Sequence, residues 1–84
     1  MTENEASSVV QALKQQFGGE SEFEAVNSNG RYRFAITSDH FNSMPHLLRQ
    51  DEVWKVVDRV LPREATMDIS MILAFAPADL AAVE

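Results

Sequence analysis

The chain has 84 residues, 45% of them apolar, a formal net charge of −6 and no cysteine. This length suits one domain with one core, and the apolar content sets the chain apart from disordered ones. The absent thiol excludes disulfides, thiolate metal sites and cysteine nucleophiles, the acidic balance disfavours general phosphate binding, and no apolar run is long enough to cross a bilayer as a helix.

The start, MTENEASS, is acidic and polar and lacks the basic opening of a secretory signal, so the sequence reads as a cytoplasmic protein with no membrane partner. Residues 1–6 are expected to be disordered. Ser7 or Ser8 is expected to cap a first helix by accepting from a free backbone N–H. Val10, Leu13 and Phe17 then form an apolar stripe, and Gly18-Gly19 ends the helix.

Glu22–Ser28 and Arg31–Thr37 read as strands joined at Asn29-Gly30, a pair suited to a two-residue hairpin turn. That turn pairs Asn27 with Tyr32, Ala25 with Phe34 and Phe23 with Ile36 on a largely apolar face. It pairs Ser28 with Arg31, Val26 with Arg33 and Glu24 with Ala35 on a largely polar one. Arg33 then lies diagonal to Glu24. Ser38–Met44 is a polar bend.

From Asp51 to Leu61 the apolar residues fill one half of a helical wheel and the charged residues the other. Carried back to Pro45, the pattern fails, because His46, Arg49 and Gln50 enter the apolar half. The expectation is a short helix from Pro45 to Leu48 and a second one capped by Asp51 and ended by Pro62. Met67–Phe75 reads as a third strand whose odd positions, Met67, Ile69, Met71, Leu73 and Phe75, join the apolar face. A short helix over Ala78–Val83 closes the chain. Helices are expected on one sheet face only.

Several constellations could carry chemistry. Ser38, Asp39 and His40 are nucleophile, acid and base by type, but adjacent residues do not converge and turn chemistry explains them better. His40, His46 and Asp39 lack metal-ligand spacing. Lys55, Arg59 and Arg63, with Arg49 upstream, could contact nucleic-acid phosphates, although Asp51, Glu52 and Asp58 interleave with them. Trp54 falls at core spacing. Tyr32, Phe34 and Phe75 are all expected on the apolar side, which leaves no aromatic platform for bases.

Ser38-Asp39-x-Phe41, the polar bend, Leu47-Leu48-Arg49 and Val53 before an apolar helix resemble the BolA-like family, as do Leu13…Phe17, the strand Glu24–Ser28 and the ending Pro77-Ala78-Asp79-Leu80. The resemblance spans nearly the whole chain. It implies an α+β fold of order αββ-αα-β, with a further short helix, akin to a type II KH domain and built on a three-stranded mixed sheet. It also implies a non-catalytic interaction module that partners monothiol glutaredoxins in iron–sulfur regulation, or alternatively a transcriptional regulator that binds nucleic acid through a helix-turn-helix-like surface.

Gln50 stands where the family usually has histidine, Asp68 stands where it has a cluster-ligand histidine, and Ser43 stands where the bend usually has glycine. The resemblance therefore implies no intrinsic cofactor, and a 2Fe–2S cluster only if a partner shares it, since carboxylate is a poor donor to such a cluster. The expected partner surface comprises Arg49, His46, Gln50 and Asp68, with Arg49 unexplained by packing. The alternative nucleic-acid surface comprises Arg49, Lys55, Arg59 and Arg63.

Overall fold

The structure, a computed structural model, describes residues 1–26 and 30–81. Helix α1 runs Glu3–Phe17 and begins well before either serine. Its cap is Thr2, whose hydroxyl accepts from the Glu5 N–H at 3.1 Å while the Glu5 carboxylate accepts from the Thr2 N–H at 2.9 Å. Thr-x-x-Glu is a reciprocal capping box, and it overrides the expectation of a disordered start. Ala6, within that stretch, is wholly buried, with Val9, Leu13 and Phe17 continuing the same face.

Strands β1 (Glu20–Val26), β2 (Arg31–Thr37) and β3 (Ile69–Phe75) form one sheet in the order β1-β2-β3. The first pair is antiparallel and the second parallel, which makes the expected mixed sheet. The hairpin register differs from the expected one by two residues. Phe23 lies opposite Phe34, Ala25 opposite Tyr32, Glu24 directly opposite Arg33 and Val26 opposite Arg31.

Because side chains alternate with period two, a slip of two changes every pair and leaves every face intact. Tyr32, Phe34 and Ile36 are buried as expected. The Ala25–Phe34, Phe23–Ile36, Val26–Arg33 and Glu24–Ala35 pairs do not form. The pairs through Asn27 and Ser28, and Asn29 of the expected turn, lie outside the described residues. Gly19, at φ 73°, lets the α1–β1 junction touch the end of β2, where a Cβ would strike the Thr37 carbonyl oxygen.

The third strand changes phase. Tyr32 pairs with Ile69, but Arg33 pairs with Met71, so Ser70 is an extra residue opposite a single step of β2. Its hydroxyl donates to the Tyr32 carbonyl at 3.1 Å. Beyond this bulge Ile72, Ala74 and Ala76 are buried, while Met71, Leu73 and Phe75 face the other way. The expected odd-numbered apolar face holds only at Ile69, and Phe75 leaves the face assigned to it.

Helix α2 is continuous from His46 to Val60, with no break near Arg49–Asp51. Pro62 ends it and caps the one-turn α3, Arg63–Thr66. The two helices of the αα segment therefore divide at Pro62. Helix α4 spans Pro77–Ala81, and residues 82 and 83 of the expected closing helix lie outside the described residues. Val53, Val56 and Val57 of α2 meet Val9 and Leu13 of α1 and Phe34 and Ile36 of β2 in one core, against which Trp54 is half-buried. The helices α1 and α2 cover one sheet face.

Candidate functional site

The α2–β3 junction holds three of the four residues of the expected partner surface, His46, Arg49 and Gln50. Arg49 is buried, with 4% of its surface exposed. Its Nε donates to the Met44 carbonyl at 2.8 Å and its Nη1 to the Ala74 carbonyl at 3.2 Å. The Asp79 carboxylate accepts from Nη1 and Nη2 at 2.7 and 3.1 Å, a two-pronged contact that suits the guanidinium fork. The expectation that packing does not explain Arg49 is thus corrected. A buried cation must be paired, and this one ties the bend, β3 and α4 together.

The same contact sets the local charge states. The hydrogen bond from Arg49, aided by the Ala76 N–H and the nearby His46, holds the Asp79 carboxyl at about 2. The hydrogen bond to Asp79 also raises the Arg49 pKa above its ordinary value, against the effect of burial. Gln50 is half-buried and donates to the Ile72 carbonyl at 2.8 Å. Ile72 and Ala74 turn their carbonyls away from β2, so Arg49 and Gln50 cover the open edge of β3. These bonds let polar residues sit on the core side of an unbroken helix.

His46 is exposed, and beside it Leu47 is 85% and Leu48 54% exposed. Both leucines lie within the stretch Met44–Gln50 expected to bind a partner, but the sequence did not single them out as site residues, although the wheel contained the signal. Stepping back by about 100° per residue from the Val53–Val57 face points both away from the core.

Asp68 does not join this group. It precedes β3 at the end opposite Ala74, and about 20 Å of strand separates the two. Its carboxylate contacts the amino group of Met1. The expected partner surface is therefore divided, with His46 exposed at one end, Arg49 and Gln50 engaged beneath it, and Asp68 at the other end.

The basic stripe loses Arg49 to the interior. Lys55 pairs with Asp51 at 3.1 Å, and Arg59 donates to Gln16 at 3.4 Å. Arg63 is exposed on α3. Ser38 is buried, donates its hydroxyl to the Phe17 carbonyl and accepts the His40 N–H at 3.1 Å. His40 Nε2 meets the Glu52 carboxylate at 2.9 Å, and its ring packs on Phe17. None of the hydrogen bonds of a Ser-His-Asp relay forms among these residues.

Among the described residues no three His, Cys, Asp or Glu side chains cluster as metal ligands, and no helix is long and apolar enough to cross a membrane. The residue at the start of β3 is a carboxylate, a poor donor to a 2Fe–2S cluster, and the chain has no thiolate.

No protein-family model matches the chain, and no curated protein matches it. Among solved structures it is similar to BolA1 from Arabidopsis thaliana, with a TM-score of 0.70 and 20% identity over 93% of this chain and 98% of that one. The element order, the mixed sheet with β2 at its centre and this likeness together show that the chain has the BolA-like fold.

Proposed function

We propose that the chain is a non-catalytic BolA-like protein-interaction module, a divergent adaptor in iron–sulfur or redox regulation that docks a monothiol glutaredoxin without ligating its cluster. The observation that carries this reading is Leu47, 85% exposed beside Leu48 on a helical turn that Arg49 fixes from below. Adjacent apolar side chains held outward on a rigid turn form an exposed apolar patch of the kind that marks an interaction surface. His46 adds a polar contact at the rim, and Arg49 acts as a positioning residue. The alternative, a nucleic-acid-binding regulator, has less support, because the cations left to it are interleaved with carboxylates.

The test is an NMR titration of the chain with cluster-loaded monothiol glutaredoxin, followed in parallel by visible circular dichroism. Shifts are expected at residues 46–48 with an unchanged cluster spectrum. Leu47→Glu is expected to weaken docking about tenfold or more while moving stability by no more than about 0.5 kcal/mol. Undiminished docking by that variant removes this surface, and a new cluster spectrum overturns docking without ligation.

A further inference from the structure

The sheet face away from the helices carries a patterned surface that the α2–β3 junction does not use. The bulge at Ser70 turns Met71, Leu73 and Phe75 onto it, where they are 43%, 40% and 39% exposed. Cross-strand pairing arranges this face in three rows: Glu24–Arg33–Met71, Glu22–Ala35–Leu73 and Glu20–Thr37–Phe75. One edge is thus a line of carboxylates and the other a line of apolar side chains. At the centre, small Ala35 leaves a hollow of about 390 Å³ bordered by Glu22, Arg33, Leu73 and Phe75.

The charges are unevenly matched. Arg33 sits 3.9 Å from Glu24. Among the described residues no cation lies within 4.0 Å of Glu20 or Glu22, and Lys14 borders them without closing an ion pair. Glu22 therefore borders the hollow, Glu20 stands one row along, and neither closes an ion pair among the described residues.

This pattern selects among occupants. A second copy stacked face to face in the aligned manner of paired sheets sets carboxylates over carboxylates, or the carboxylate line over the apolar line. The first brings the apolar lines together but like charges with them, and the second lays carboxylates on apolar side chains, so neither compensates the charge. Nucleic acid and anionic membranes bring phosphates to Glu20 and Glu22. A protein segment with an apolar row flanked by lysine or arginine satisfies both lines at once. The geometry points to the open sheet face as a dock for a basic amphipathic segment of a partner protein, with an apolar side chain in the Ala35 hollow and cations over Glu20 and Glu22.

The test uses the full chain labelled with nitrogen-15 and a synthetic helical peptide with one leucine face flanked by lysines. Controls are a lysine–glycine peptide without the leucines and a peptide with the lysines changed to glutamate. Shifts are expected at residues 20, 22, 35, 73 and 75 with the leucine–lysine peptide alone. Glu22→Lys is expected to weaken that binding about tenfold, a change of about 1.4 kcal/mol, and to gain binding of the glutamate peptide. Equal shifts from the lysine–glycine peptide, shifts confined to other surfaces, or no shifts at millimolar peptide overturn the assignment. So does self-association through this face in sedimentation equilibrium, or saturable binding of an oligonucleotide there.

Discussion

The two halves of α2 are buried by different forces. From Val53 onward the inner face is apolar, and exclusion of water from Val53, Val56 and Val57 holds it down. In the first turns the inner face is Arg49 and Gln50, held by directed bonds to Met44, Ala74, Asp79 and Ile72. The first kind of contact tolerates sliding and repacking, whereas the second fixes distance and angle. One continuous helix thus has a packed end and a latched end, and the exposed Leu47–Leu48 pair rides on the latched one.

The comparison can be broken most directly by removing the latch. Arg49→Ala is expected to cost about 2–4 kcal/mol in urea unfolding, because it strands buried carbonyls and loses the charged pair. Val53→Ala at the packed end is expected to cost about 1.5–3 kcal/mol. Arg49→Lys distinguishes a latch from a mere filler, since lysine cannot form the two-pronged contact and rescues only part of the loss. An Arg49→Ala cost below about 0.5 kcal/mol means that the directed bonds do not hold the first turns in place.

Acid separates the ends next. The Asp79 carboxyl is held at about 2, below its ordinary 3.8. A depressed carboxyl contributes stability that is present above its unfolded value and is lost as pH falls through the folded one. The latch is therefore expected to weaken between about pH 4 and pH 2. Asp79→Asn is expected to remove that step from a plot of stability against pH, and Val53→Ala to leave it in place.

The smallest expected effect lies in the bend below the latch. Ser43 has φ 62°, a left-handed backbone that costs a residue with a Cβ about 1–2 kcal/mol. After the entropy that glycine adds to the unfolded chain, Ser43→Gly is expected to stabilise by about 0.5–1 kcal/mol. A melting temperature that falls in this variant means that the serine side chain contributes more than its backbone costs.

Much of the fold was legible because burial leaves a period. The alternation of β2 and the wheel of Val53–Leu61 gave the core face, and the order of elements followed. What was hidden lay where a period is ambiguous or a partner is distant. In β3 apolar residues occupy both parities, so only the bulge decides that Ile72 and Ala74 face inward while Leu73 and Phe75 face out. In the hairpin a slip of two preserves every face, so no burial pattern can detect it. Arg49 looked like a surface contact because its counter-ion stands thirty residues later in the chain. For the candidate site, the stretch was legible and the roles within it were not. The wheel describes one whole helix with two exposed leucines, not the broken helix expected from its polar inner residues.

The Arg49–Asp79 contact also couples two parts of the chain that lie thirty residues apart. The guanidinium that holds the first turns of α2 meets its carboxylate on α4, so a change that loosens α4 acts on the pose of Leu47 and Leu48 without touching either residue. The display of the exposed leucine pair is thus tied to the seating of α4 against β3.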